Sequence, residues 1–267
     1  MEGTPNTVLE KLRAGEVVLG LSVRMVRTGE IAKIAKACGH DWVFIDMEHS
    51  PITLETAVEI SIAALDSGIT PIVRVAGHAH YHIARVLDGG AMGIVVPHVN
   101  TAEEARQAVA HCRFPPVGHR SAMGGYAQLG FKSVPIREAS EYLNANTLLA
   151  VMIETPEAVD NIEEIAAVDG IDVIYIGSND LLMEMGLPGQ FDHEALDAAA
   201  RRVIEVSLAN GKFPGIGGVR DPEHAAKYVA MGSRFLTTHS DLAFLMEAAT
   251  ARAEMLRGVV ASATGGE

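Results

Sequence analysis

Glu154, in AVMIETPEA, and Asp180, in YIGSNDLL, are carboxylates that each follow a short apolar run rich in β-branched residues. Placed where consecutive parallel strands end, two such side chains can share one divalent cation. They offer hard oxygen ligands with no cysteine nearby, a donor set suited to Mg²⁺ or Mn²⁺ with several waters retained; Co²⁺, Ni²⁺ or Zn²⁺ can occupy such a site too. The alternative is that both carboxylates merely cap the helices that TPEA and DLL begin. Spacing alone weighs the two readings evenly.

Other polar residues follow apolar runs in the same way. Asp46, Glu48 and His49 follow WVFID, Arg74 lies within PIVRV, His98 ends GIVVPH, and Ser178 and Asn179 precede Asp180. A guanidinium on a buried strand needs an anionic partner, and a substrate carboxylate suits its planar fork; a fixed ion pair with Asp46 or Glu48 is the simpler role. His49 can exchange protons near neutral pH, or be an ordinary turn residue before Pro51, and His98 poses the same choice. His78, His80 and His82 in HAHYH diverge on a helix, which makes them surface or interface residues rather than a metal tract. The glycines of PGIGG sit where barrel loops often bind phosphate, or they only permit tight packing. Lys11, Lys33, Lys36, Lys132, Lys212 and Lys227 all fall on helices, loops or strand entrances, so no Schiff-base lysine is expected and carbonyl activation falls to a metal.

What must position these groups is a regular alternation. Apolar runs at 17–23, 42–46, 71–75, 93–98, 148–154, 173–177, 213–218 and 234–238 are separated by amphipathic stretches, several opened by Thr or Pro and closed by Gly. Strict alternation predicts a parallel sheet with helical crossovers, and eight strands predict a (β/α)8 barrel of one domain over 1–267, with the site at the carboxyl ends of its strands. A chain 48% hydrophobic but only 5% aromatic must build its core mainly from Ala, Val, Ile and Leu, which fits parallel strands under helices. The long Gly/Pro-rich segment 114–135 reads as a functional or interfacial loop that would select the substrate. The stretch SDLAFLMEAATARAEMLRGVV reads as an amphipathic helix, with Leu242, Leu245, Met246 and Ala249 on one face, that closes the barrel or docks on a neighbour. The final ASATGGE is expected to fray.

A net charge of −13, with 21 basic residues scattered among 34 acidic ones, argues against nucleic-acid binding. No apolar run long enough to span a bilayer and no apolar leader is present, and Cys38 and Cys112 lack metal or disulfide spacing, so they read as reduced, packed thiols of a cytoplasmic protein.

Read in order, DWVFIDMEHSP, PIVRV, LDGGAMGIVVPHVNTAEEA, FPPVGHR, IETPEAV and IGSNDL make the chain, over roughly residues 6–255, resemble the HpcH/HpaI family of metal-dependent class II pyruvate aldolases, with wording near its macrophomate synthase-like branch. The resemblance implies a barrel of the phosphoenolpyruvate/pyruvate superfamily type, with Glu154 and Asp180 ligating the metal and pyruvate chelating it. It implies that amides near Ser178 and Asn179 hold the pyruvate carboxylate, that Arg74 stabilises the enolate and aldehyde oxygens, that His49 assists proton transfer, and that Asp46 orders metal-bound water. Asp88, in LDGGA, matches an aspartate that the family pairs with the histidine of EHSP, yet it precedes the fourth strand; a neighbouring subunit supplies it, or its role is structural. Met152 stands where many members carry a substrate-holding Gln, and His98 can compensate. The resemblance further implies a homohexamer, a trimer of dimers with exchanged C-terminal helices, acting on a small 2-oxoacid and an aldehyde. Oxaloacetate decarboxylation or a macrophomate synthase-like addition would use the same enolate. A noncatalytic anion-binding barrel is the third reading, since fold does not fix function.

Overall fold

The computed structural model describes residues 3–264. Eight parallel strands, β1 (Val18–Val23), β2 (Trp42–Asp46), β3 (Thr70–Arg74), β4 (Gly93–Val96), β5 (Leu148–Ile153), β6 (Val173–Gly177), β7 (Phe213–Gly217) and β8 (Phe235–Ser240), pair in sequence order and close into a barrel. The strands lie within a residue or two of the apolar runs. β4 stops at Val96, ahead of Pro97, which has no N–H to give a ladder.

Alternation along each strand sorts side chains into two cores. On β5, Leu149, Val151 and Ile153 face the helices, whereas Leu148, Ala150 and Met152 face the barrel axis. On β2, Trp42 and Phe44 point inward, and the same period carries Asp46 to the inner face at the top. Ile72 and Arg74 repeat the pattern on β3, and the step beyond Met152 on β5 is Glu154. The acidic and basic residues are therefore the top layer of a barrel interior that is apolar below, where Trp42 stacks on Phe235 with centroids 4.1 Å apart. The helix Thr7–Arg13 closes the floor with Val8, Leu9 and Leu12. Asn6 fixes it there, accepting the Leu9 N–H and donating to the carbonyls of Met92 and Asn146.

Threonines start the helices as the sequence suggests: Thr53, Thr101 and Thr155 each accept a first-turn N–H, and Thr101 and Glu104 form a reciprocal capping box. The segment 114–135 differs from expectation. Phe114, Tyr126 and Leu129 pack with Ala139 and Leu143 in a small core of their own, and Gln128 Nε2 donates to the carbonyls of Leu87 and Ala91, just ahead of β4. The loop is thus tied to the amino-terminal mouth, opposite the strand-end carboxylates, and does not select substrate within its own barrel. Cys112 is buried but Cys38 is exposed, so only one thiol is packed. The C-terminal helix runs Asp241–Ala263, longer than expected, with ordered turns where fraying was predicted; 265–267 lie outside the described residues. Among the described residues no helix is long and apolar enough to cross a membrane.

Candidate active site

Asp46 and Arg74 sit in register across β2 and β3, so their side chains meet at the barrel mouth. Arg74 Nε donates to Asp46 Oδ1 at 3.0 Å and Nη2 to Oδ2 at 2.7 Å. Asp46 Oδ1 also accepts the amides of Glu48 and His49, both at 3.1 Å, which folds the loop after β2 around it. Burial pushes the Asp46 carboxyl up, but the Arg74 bonds and charge and the two amides outweigh that and hold it below the usual carboxylate range. Arg74 Nη1 lies 3.0 Å from Glu48 Oε2, an ionic contact without hydrogen-bond geometry. The guanidinium stands 5.2 Å over the Phe44 ring. Arg74 is therefore in a fixed ion pair, and it also lines the cleft above the barrel.

Glu154 follows β5 and is 1% exposed. It does not cap the next helix, because Thr155 does. Its Oε2 accepts the His98 N–H at 2.9 Å, while Oε1 is buried without a hydrogen-bond partner among the described residues. Gly177, at the end of β6, leaves room for that oxygen; a Cβ there would fall 2.5 Å from Oε1. Burial raises the Glu154 carboxyl to about 7, against the His98 amide and ring, and the charges of Asp180 and Glu48 push the same way as burial. Asp180 occupies the first turn of the helix Ser178–Glu184, whose N-cap, Gly177, has no side chain to offer.

His98 is in the left-handed region, φ 52. Its ring bridges two carboxylates, with Nε2 3.1 Å from Glu48 Oε1 and Nδ1 3.4 Å from Glu154 Oε2. His49 is 47% exposed, its Nε2 3.6 Å from Glu48 Oε2, and its carbonyl accepts from Arg24 Nη2 at 2.9 Å. Arg24 is held in turn by Asp241, which accepts the amides of Arg24, Met25 and Val26.

The cleft, of about 510 Å³, is lined by Asp46, Arg74, Asn179 and Asp180, with Phe44, Met152 and Tyr175 below. Tyr175 Oη meets Thr237 Oγ1 at 2.7 Å. Ser178 Oγ donates to the Gly217 carbonyl and ties the turn after β6 to β7. Among the described residues no lysine lines the cleft. Asp88 does not join the others: it ends the helix His80–Asp88, near the opposite mouth, and pairs with buried Arg120 at 2.7 Å. The HAHYH histidines are occupied elsewhere, His78 Nε2 with the Pro97 carbonyl and His80 edge-on to His111. Sequence reading passed over Arg24, Tyr175, Thr237, Arg220 and His239 as site residues; the strand-end filter that found Asp180 would have found Arg220 and His239 had it been carried on to β7 and β8.

Two carboxylates remain electrostatically unmatched. Asp46 and Glu48 face Arg74, whereas among the described residues Glu154 and Asp180 have no Lys or Arg partner. A buried acceptor oxygen with no donor, beside a second carboxylate, fits a divalent cation. Among the described residues no three His, Cys, Asp or Glu side chains come together as a metal cluster.

Fold and mouth together define a (β/α)8 barrel enzyme equipped for carbon–carbon lyase chemistry. The chain belongs to the HpcH/HpaI aldolase/citrate lyase family, whose sequence profile matches residues 26–248. It is 39% identical to a 4-hydroxy-4-methyl-2-oxoglutarate aldolase of Chaetomium globosum over 91% of this chain and 92% of that protein. It is 35% identical to a hydroxypyruvate/pyruvate aldolase of Delftia acidovorans, covering 98% and 96% of the two chains. The crystal structure of an HpcH/HpaI aldolase from Desulfitobacterium hafniense superposes with TM-score 0.89 at 28% identity, over 93% of this chain and 96% of that one. Macrophomate synthase, at 24% identity and TM-score 0.80, shares the fold.

Proposed function

We propose that this protein is a divalent-metal-dependent aldolase that makes and breaks the carbon–carbon bond between a pyruvate enolate and an aldehyde, with 4-hydroxy-2-oxoacids as its substrates. The observation that carries the reading is the buried, unpartnered Oε1 of Glu154 beside Asp180. Mg²⁺ or Mn²⁺ held by these two carboxylates would supply electrophilic stabilisation of the negative charge that develops on the 2-oxo oxygen. The chain's own groups do the rest. The first-turn amides at Ser178 and Asn179 receive the substrate carboxylate. Arg74, held by both oxygens of Asp46, presents a fixed charge to the enolate oxygen and the acceptor oxygen. With Asp46 committed to Arg74 and two amides, its part is to orient that charge. His49, beside Glu48, takes the proton from the C4 hydroxyl as the C3–C4 bond breaks; the electron pair remains on the pyruvate enolate, which takes a proton at C3 from water, and the proton on His49 passes to the hydroxide so formed. Synthesis runs these transfers in reverse.

The C-terminal helix supports an assembly of exchanged helices. Of its residues only Asp241 is buried, while Leu245, Met246, Met255, Leu256, Val259 and Val260 are each at least half exposed. An apolar surface of that extent on one helix is covered by a neighbouring copy, in a hexamer of the trimer-of-dimers kind, where Asp88 borders a neighbour's mouth. The whole chain acts as one barrel domain in the cytoplasm.

Purified protein given Mn²⁺ and 4-hydroxy-2-oxovalerate should release pyruvate, stop on addition of EDTA and recover on metal addition. Cleavage that continues unchanged in EDTA overturns the reading. Turnover of oxaloacetate measured alongside ranks decarboxylation against aldol cleavage.

A further inference from the structure

Arg220 lines the same cleft as Arg74, Asn179 and Asp180, and the backbone on either side of it is fixed. Two residues before it, Gly218 has φ +84, and a Cβ there would strike the side chains of Ser178 and Asn179; a Cβ on Gly217 would strike Tyr175. The two glycines thus let the loop after β7 lie directly against the turn that carries Asp180. Val219 is 8% exposed. Asp221 caps the helix Pro222–Met231, accepting the amides of Glu223 at 2.7 Å and His224 at 3.3 Å. Arg220 therefore projects from an anchored segment.

Its charge is uncommitted. Arg74 is clamped by Asp46 and Glu48, and Arg24 bonds the His49 carbonyl and stands 3.5 Å from Asp46. Among the described residues Arg220 has neither a hydrogen bond nor an ion pair. His239 lines the same cleft; burial, and then the nearby Arg220 charge, lower the tendency of that ring to protonate. Leu242 and Ala243 add apolar lining to the same cleft. A cleft that brings together Asp180, apolar side chains and, among the described residues, a guanidinium without an ion-pair partner matches a molecule with a 2-oxoacid head and a second anionic group on its tail.

We infer that Arg220 determines specificity by binding a carboxylate on the acceptor half, so that the preferred substrates are 4-hydroxy-2-oxo diacids, the acceptor being a carbonyl compound that itself bears a carboxylate. This rests on the aldolase reading above and narrows its substrate class.

The test compares kcat/KM for 4-hydroxy-2-oxoglutarate and for 4-hydroxy-2-oxovalerate, diacid against neutral tail, in the wild type, Arg220→Lys and Arg220→Gln. Loss of one charge-assisted hydrogen bond predicts that the diacid preference falls roughly 10- to 100-fold in Arg220→Gln, mainly through KM, with partial retention in Arg220→Lys, which keeps the charge but not the fork. In the wild type the preference should shrink with added salt. An unchanged ratio in Arg220→Gln, or a wild type that favours the neutral tail, overturns the inference while leaving the aldolase intact. Wild-type protein that cleaves neither compound, and does not exchange the methyl protons of pyruvate for deuterium with Mn²⁺ present, overturns both.

Discussion

The main-chain N–H of His98 donates to Glu154 Oε2 at 2.9 Å, and that bond leaves Oε1 as the free oxygen of a buried carboxylate. The donor reaches Glu154 from a residue in the left-handed region, where a side chain is strained. One backbone amide thus aims the carboxylate, while the ring of the same residue joins it to Glu48.

Removing the charge but keeping the shape separates binding from folding. Glu154→Gln and Asp180→Asn should each weaken Mn²⁺ binding and lower kcat/KM by at least roughly 100-fold, the scale for losing one transition-state electrostatic contact. Because ionised Glu154 is buried at a cost, metal-free Glu154→Gln should melt no lower than the wild type at pH 8. Calorimetric metal titration and a thermal melt in EDTA check both statements; wild-type Mn²⁺ affinity in either variant would exclude these ligands.

The pH dependence has a definite sign. Glu154 titrates near 7 in the folded chain against an ordinary 4.5. Below 4.5 both folded and unfolded chains carry the proton. Between the two values only the folded chain keeps it, so metal-free stability falls as pH rises through about 7. A metal competes with that proton, so affinity should climb steeply from pH 6 to 7 and level off above, with proton release on binding. Melts in EDTA and Mn²⁺ titrations in buffers of different ionisation enthalpy would reveal a flat profile if the burial of Glu154 is relieved.

His98 separates backbone from ring. His98→Gly relieves the left-handed strain and should be more stable than His98→Ala by about 1 kcal/mol. Both variants lose the bridge to Glu48 and should share the same catalytic loss. Denaturant unfolding and steady-state kinetics decide; equal stability would mean the loop relaxes around Ala.

Asp46→Asn leaves the buried Arg74 guanidinium with one full partner fewer. Breaking a buried pair costs about 3–5 kcal/mol, so a large drop in the denaturation midpoint is expected, together with loss of cleavage activity. Arg74→Lys, which keeps the charge, should fold better than Asp46→Asn but cleave poorly, because an ammonium cannot hold both Asp46 oxygens and face the cleft.

The C-terminal helix makes a prediction about mass. Leu256→Lys with Val260→Lys should lower the mass in solution measured by light scattering, with little effect on barrel melting, since neither residue packs on the barrel. A monomeric wild type would contradict the exchanged-helix assembly.

Much was legible before any coordinates. The β-branched runs locate all eight strands within a residue or two, because buried parallel strands are continuous apolar segments whose ends are marked by polar residues. Strand-end position likewise picks out Asp46, Arg74 and Asp180, since a closed barrel brings every carboxyl end to one mouth. Asp88 falls outside that rule and lies on Arg120. The segment 114–135 misled because a Gly/Pro-rich loop announces irregularity but not the end of the barrel to which its aromatic residues bind it.

The linear order of residues determined the barrel, the family and the ring of polar residues at its upper end, because these depend on hydrophobic period and on which side chains follow each strand. Tertiary packing alone decided which partners those residues take: Arg74 on both oxygens of Asp46, one oxygen of Glu154 on the His98 amide, and Arg220 without an ion pair among the described residues. Distances of a few ångströms between strands remote in sequence set those pairings, and burial sets their strength, neither of which is written in local spacing.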